Sequence, residues 1–303
     1  MRVEILEPSG CCQGVNNAIS LALKARSEHK DKNVYILGML VHNETVINEL
    51  TKHHIETIIA PTLFDALNKV NDGVVIFTAH GHDEKLNALA IKKGLIVYDS
   101  TCAFVKVNHH HIQNAIKDNH QVIFIGKKNH PEAEGALLID PEHIHLITSK
   151  KDLETLDKDK HYVMTNQTTM SLYDVYDLCE YAKKILDVEI MKETCSATQI
   201  RQEAIAKMDE DIDLVIIVGD PHSNNTKKLA SISMEKAHKD TKMIGSLEEL
   251  DLSWLKGKKH VGVSSGASTP TVLTNQIIDF LKQYDENNPD SFIKPEIPYE
   301  KML

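Results

Sequence analysis

Residues 3–15, Val3-Glu4-Ile5-Leu6-Glu7-Pro8-Ser9-Gly10-Cys11-Cys12-Gln13-Gly14-Val15, place a short apolar run ahead of a cysteine and a helical pattern behind it. The order recurs twice: Leu95-Ile96-Val97-Tyr98 leads to Cys102, and Val188-Glu189-Ile190-Met191 leads to Cys195. The three cysteines lie 90 and 93 residues apart. Behind each, a second apolar run ends at a glycine (Gly38, Gly126, Gly219), and a third ends at a small polar residue (Thr78, Thr165, Ser264). A period of this size predicts three copies of one supersecondary unit. The units fall at 1–93, 94–186 and 187–285, with an extended tail at 286–303.

Short β-branched runs alternating with amphipathic stretches predict parallel strands joined by helical crossovers, an α/β fold repeated around a pseudo-threefold axis. In such sheets the working loops lie beyond the carboxyl ends of the strands. Each cysteine falls there, just before a predicted helix. Val15, Ala18, Ile19, Ala22 and Ala25 repeat at helical spacing after Cys12, and Ile200, Ala204 and Met208 do so after Cys195. A helix start favours the thiolate, the form that binds metal. A trefoil of such units would point three thiols at one central place.

The 303 residues supply ample core, and five cysteines (Cys11, Cys12, Cys102, Cys179, Cys195) form no secreted disulfide framework. The start MRVEILEPSG has no apolar leader segment, and no run is long enough to span a bilayer, so a cytoplasmic protein is expected. A formal net charge of −10 disfavours non-specific nucleic-acid binding and obliges any anionic ligand to find local donors.

Structural zinc takes four ligands, usually in close pairs. Three dispersed single cysteines suit instead a [4Fe-4S] cluster with one iron left open. Cys179, inside the helical run 173–186, reads as a packed hydrophobe. Other strand-end loops carry His42, His80, His130 with Pro131 and Glu132, Thr168, Ser223-Asn224-Asn225 and Ser268. Hydroxyls, amides and imidazoles at helix starts suit a phosphate or diphosphate. Ser and Asn at these places also cap helices, and a first-turn Glu also complements a helix dipole, so either motif alone would be weak. Glu132 is the one acid among them and could relay protons if its surroundings tune it. The run His109-His110-His111 reads as mostly solvated.

Together these motifs resemble those of the 4-hydroxy-3-methylbut-2-enyl diphosphate reductase family. The resemblance rests on Cys12-x-Gly14-Val15, Val41-His42-Asn43, Ala79-His80-Gly81 and Ser100-Thr101-Cys102. It continues through His130-Pro131-Glu132-x-Glu134-Gly135, Gln167-Thr168-Thr169, Cys195-x-Ala197-Thr198-x-x-Arg201-Gln202-Glu203-Ala204 and Gly266-Ala267-Ser268. It implies a trefoil α/β oxidoreductase of the methylerythritol phosphate route to isoprenoids. That reaction removes the substrate hydroxyl with two electrons and two protons, at the open iron of a cluster, to give isopentenyl and dimethylallyl diphosphate. By position it implies Cys12, Cys102 and Cys195 as cluster ligands, Glu132 as proton relay and Thr168 beside the substrate hydroxyl. His42, His80, His130, Ser223, Asn224, Asn225 and Ser268 fall on the diphosphate pocket. A ferredoxin or flavodoxin would supply electrons. Cys11, Ala103 and Asn224 depart from the residues expected there (an aromatic, a proline and a serine). Two alternatives are a quinolinate-synthase-type iron–sulfur enzyme, against which His130-Pro131-Glu132 and Gln167-Thr168-Thr169 speak, and a cluster-based redox sensor, which would not need the pocket.

Overall fold

The computed structural model describes residues 1–191 and 195–295. The strands are β1 (Arg2–Ile5), β2 (Val34–Leu37), β3 (Ile55–Ile58), β4 (Val74–Phe77), β5 (Ile96–Asp99) and β6 (Gln121–Ile125). They continue with β7 (Ile144–Ile147), β8 (His161–Asn166), β9 (Asp187–Ile190), β10 (Leu214–Val218), β11 (Thr241–Ile244) and β12 (His260–Ser265). They form three four-stranded sheets ordered β3-β2-β4-β5, β7-β6-β8-β9 and β1-β12-β10-β11. Every pairing is parallel. The α/β class and the threefold repetition of one sheet are as the periodicity predicts.

The central strands read as near-continuous apolar runs because helices cover both faces, as parallel sheets require. Alternate residues of β10 enter different cores: Leu214, Ile216 and Val218 pack with Ile277 and Leu281, while Val215 and Ile217 pack with Ile205 and Leu229. In β6, Ile123 and Ile125 join one core and Val122 and Phe124 the other. Cys179 is buried in the first of these, its Sγ 3.5 Å from Met164 Sδ, and packs as the hydrophobe the sequence suggests.

The sheets straddle the sequence bounds at 93 and 186. β5 and β9, the strands that lead into Cys102 and Cys195, are edge strands of the sheet before, and β1, which leads into Cys12, pairs with β12 at the other end of the chain. By packing the chain divides into two compact units, Met1–Asn16 with His42–Glu49 and Ser196–Leu303, and Asn17–Val41 with Leu50–Cys195. The first holds the sheet containing β1, and the second holds the other two.

Of the tail predicted at 286–303, residues 296–303 lie outside the described residues. The described part is tied down: Phe292 stacks on Tyr284, and Lys294 Nζ donates to the carbonyls of Glu248 and Leu250 at 2.9 and 2.7 Å. Among the described residues no helix is long and apolar enough to cross a membrane.

Candidate active site

Each of the three repeat cysteines is the residue before a helix. Cys12 precedes Gln13–Glu28, Cys102 precedes Ala103–Lys117 and Cys195 precedes Ser196–Ala206. None is in a disulfide; Cys12 and Cys102 are half-buried and Cys195 is buried. Among the described residues no three His, Cys, Asp or Glu side chains are grouped to hold a single metal ion.

In the unit that holds Cys12, the cysteine loop is clamped from two sides. The Cys12 N–H donates to the Ala267 carbonyl at 2.9 Å, and the Gly10 N–H donates to Ser265 Oγ at 2.5 Å. Gly10 turns with φ 75°, and a Cβ there would fall 2.3 Å from Thr271 Oγ1, so only glycine fits. Arg201 supplies the second clamp, donating to the Gly10 carbonyl at 2.7 Å and to the Ala197 carbonyl at 3.0 Å. This corrects the expected inner face of the Ser196–Ala206 helix. Ile200 is 53% exposed, whereas Thr198, Arg201, Gln202 and Ile205 are buried. Carbonyl acceptors engage both terminal nitrogens of the buried guanidinium, which a hydropathy pattern cannot register. Cys11 is a poor candidate for a ligand as it stands: burial, then neighbouring Cys12, push its thiol up to about 12, against the opposing pull of Arg201.

The same unit carries half of the predicted pocket. Ser223 caps the helix Asn224–Glu235, its side chain accepting from the Thr226 N–H at 3.4 Å. Asn224 and Asn225 open that helix and are both buried. Among the described residues, neither the carbonyl nor the amino end of the Asn225 side chain has a hydrogen-bond partner. A buried amide left in that state costs about 1–3 kcal/mol, so its retention points to a missing ligand. Ser268, also buried, donates to the His42 carbonyl at 3.0 Å. Asp220, absent from the sequence reading, accepts from the Glu44 N–H at 2.9 Å, where Asn43 Oδ1 also caps the Glu44–Lys52 helix by accepting from Val46.

The other unit holds Cys102, Cys195, His80, His130, Glu132 and Thr168. The Cys102 N–H donates to the Ala79 carbonyl at 3.1 Å, which fixes the cysteine against the His80 loop. His80 Nδ1 lies 3.3 Å from Thr78 Oγ1, and the His80 and His130 rings meet edge to face at 5.7 Å. His130 is the N-cap of Pro131–Leu137, its Nδ1 accepting from the Glu132 N–H at 3.2 Å. A ring nitrogen that accepts carries no proton, so neutral His130 holds its proton on Nε2 and can donate from there. Gly135 one turn on lets this helix approach the His80 loop; a Cβ there would sit 3.3 Å from the Gly81 carbonyl oxygen.

Glu132 is 2% exposed. Its Oε1 accepts from the Thr168 N–H at 2.7 Å and its Oε2 from the Thr168 hydroxyl at 2.9 Å. Burial raises its carboxyl to about 7 despite the two Thr168 bonds, which pull the other way. A buried polar lattice holds the segment 165–167 that leads into Thr168. Thr165 Oγ1 donates to Asn108 Oδ1 at 2.7 Å, Asn108 Nδ2 to the Asn166 carbonyl at 3.0 Å, and the Lys127 N–H to Gln167 Oε1 at 3.0 Å. Asn108 was not legible as a site-supporting residue; its only sequence signal is a polar residue on the inner face of an apolar helix. The neighbouring histidines also differ from expectation. His110 is exposed, but His109 is half-buried and burial, then His82, hold its imidazole down to about 4.

Repeated parallel sheets, with a lone cysteine at the helix start that follows each leading strand and a buried tunable acid, define a class of α/β oxidoreductase. Residues 3–282 match the family model described as LytB protein. The 4-hydroxy-3-methylbut-2-enyl diphosphate reductase of Exiguobacterium sibiricum is 47% identical over 290 residues, covering 94% of this chain and 92% of the relative. That of Bacillus licheniformis is 43% identical over 307 residues, covering 100% and 98%. Among solved structures, the E-1-hydroxy-2-methyl-but-2-enyl-4-diphosphate reductase of Plasmodium falciparum superposes with a TM-score of 0.86 at 30% identity, covering 95% of this chain and 88% of that one. A second, described as the terminal enzyme of the non-mevalonate pathway, gives a TM-score of 0.69 at 29% identity over 94% of this chain and 100% of that one. The chain belongs to the LytB family, whose named members here are reductases. That membership decides against the quinolinate-synthase-type and sensor readings.

Proposed function

We propose that this protein reduces 4-hydroxy-3-methylbut-2-enyl diphosphate with two electrons and two protons, releasing water and forming isopentenyl and dimethylallyl diphosphate. The observation that carries the reading is Glu132, a buried acid with its carboxyl near 7, held by both donors of Thr168. At neutral pH such a group is divided between its acid and base forms, as a side chain that gives up and regains a proton each turnover must be. Thr168 fixes both carboxyl oxygens, and its hydroxyl can pass the proton toward a leaving hydroxyl. The Nε2–H of His130 and the amide of Asn225 are donors for diphosphate oxygens. Ser268 can add to these donors by turning the hydroxyl it now gives to the His42 carbonyl, and Ser223, whose oxygen accepts from the Thr226 N–H, keeps its own O–H to give. The donors are neutral, so they can hold the anion in a chain whose overall charge repels it.

Cys12, Cys102 and Cys195 would hold the [4Fe-4S] cluster, with one iron free of protein thiolate. Their chemistry supports the fit: three thiols outside any disulfide, each at a helix start where backbone amides favour the thiolate. When bound, the cluster supplies electrons and a Lewis-acidic iron for the leaving oxygen. A soluble one-electron carrier of ferredoxin or flavodoxin type is the partner we infer, in the cytoplasm.

Anaerobic purification with iron and sulfide quantification, followed by turnover with the hydroxylated diphosphate and a chemical reductant, tests the proposal. The expected result is one cluster per chain and formation of both products, with each Cys→Ser change at 12, 102 or 195 removing cluster and activity and Cys179→Ser removing neither. Cluster-replete protein that leaves the substrate unreduced would overturn it.

A further inference from the structure

Across β6, β8 and β9, at the end of the sheet opposite the catalytic loops, three polar side chains share one register row. His161 pairs with Asp187 across β8 and β9. Gln121 pairs with Tyr162 across β6 and β8, so His120, one residue earlier, comes beside His161. Neighbouring residues at one level of a parallel sheet project from the same face. The two imidazoles lie with ring centres 4.7 Å apart and planes inclined by 69°. His161 Nδ1 lies 2.9 Å from Asp187 Oδ2.

We propose that His120 and His161, oriented by Asp187, form a binding site for a borderline divalent transition metal such as Ni²⁺ or Zn²⁺, separate from the catalytic centre and independent of the function proposed above. Three features carry this. Asp187 occupies Nδ1 of His161 and leaves Nε2 as that ring's coordinating atom, the carboxylate–histidine arrangement that fixes tautomer and orientation in metal sites. The ring spacing fits a shared ion. Two imidazoles bonded at about 2.0–2.1 Å, with a nitrogen–metal–nitrogen angle of roughly 90–110°, place their ring centres about 4.6–5.3 Å apart. The site is also open to solvent, since the side chains of His161 and Asp187 are 36% and 74% exposed. Asp187 is spent on His161 Nδ1, so the protein offers the ion two imidazoles, and water completes the sphere. Imidazole with water selects nickel, copper or zinc over magnesium or calcium, which prefer all-oxygen ligands.

The test is calorimetric titration of Ni²⁺ into the anaerobically purified holoenzyme and its variants. The wild type should show a saturable equivalent that His120→Gln and His161→Gln each remove, and that Asp187→Asn weakens about 10- to 100-fold. His53→Gln, an exposed histidine elsewhere, should bind as wild type does. Ni²⁺ should raise the melting temperature of the wild type and not that of His161→Gln, a comparison made within each variant and so insensitive to its starting stability. Reductase turnover should be equal in all four variants without added metal. If His120→Gln and His161→Gln take up Ni²⁺ with wild-type stoichiometry and affinity, there is no such site. If Asp187→Asn matches wild type while both His variants lose the ion, the orienting role of Asp187 is overturned.

Discussion

The two groups of candidate site residues, one in each unit, are prepared differently. Around Ser223–Asn225 and Ser268 the donors are neutral, and both serines are engaged within the protein; among the described residues the Asn225 amide is buried with no hydrogen-bond partner at either end. Around Glu132 the acid has all the partners it needs, and what is unusual is its proton. One group stores an unmet hydrogen-bonding demand that an anion can fill. The other stores a titration shifted into the physiological range. Binding and proton transfer are therefore separable by mutation, and the expected effects run from large to small.

Glu132→Gln should have the largest effect. The amide keeps the shape but cannot ionise, so single-turnover reduction with the cluster pre-reduced should slow by about 10²–10⁴-fold. Cluster content and substrate affinity should hold. Turnover at the wild-type rate in cluster-replete Glu132→Gln would leave Glu132 as a first-turn acid and nothing more.

The same residue should mark the stability curve. Its folded carboxyl titrates near 7 and its ordinary value is 4.5, so the folded state holds the proton that the unfolded state releases between those values. This contribution is fully present below about pH 4.5 and is lost as pH rises through 7, by roughly 3 kcal/mol in total. Urea midpoints at pH 5 and pH 8 should therefore fall more for the wild type than for Glu132→Gln. Parallel curves would place the titration elsewhere.

Asn225→Leu sharpens the contrast from the other side. It removes a buried amide without partners, so the ligand-free protein should become more stable, by about 1–3 kcal/mol. Affinity for the diphosphate should drop about ten- to hundred-fold, because a hydrogen bond to a charged oxygen is worth roughly 1.5–3 kcal/mol. Calorimetry against the substrate, paired with a melting curve, reads both signs at once. A destabilised variant would mean that the amide is satisfied within the fold.

Ser268→Ala should do least. Its hydroxyl already donates to the His42 carbonyl, so what it gives to a ligand must be taken from that bond, and about a tenfold loss of affinity is the upper expectation. A thousand-fold loss would make Ser268 the principal anchor and invert the ranking of the two serines and the asparagine.

Much of this was legible in the sequence because it is local. A β-branched run, a cysteine and a helical period identify a strand end and a helix start without any knowledge of partners, and all three cysteines fall where that logic puts them. Polar loop residues could likewise be assigned to strand ends. The pairing of strands was not legible. β1 and β12 meet across almost the whole chain, and no local pattern says that a leading strand belongs to the sheet before it. The apolar spacing of Ile200, Ala204 and Met208 did not reveal that Arg201 and Gln202 lie on the buried face, because hydropathy scores the side chain and not the carbonyls that receive it. Asn108 escaped notice for the same reason, and the raised carboxyl of Glu132 could be posed only as a condition, since burial is a property of the packed neighbours.

The pairing of β1 with β12 also has a consequence for the order of events during synthesis. The ribosome delivers Cys12 at the outset, yet the strand before it pairs with His260–Val263 and its own N–H is held by Ala267. Until those late residues emerge from the exit tunnel, the first thiol has no fixed position, while the sheets of residues 34–190 can already form around Cys102. If Cys12 holds the cluster as proposed, loading of that ligand is thereby tied to completion of the polypeptide, and a chain stalled before residue 260 would present that thiol to any oxidant it met.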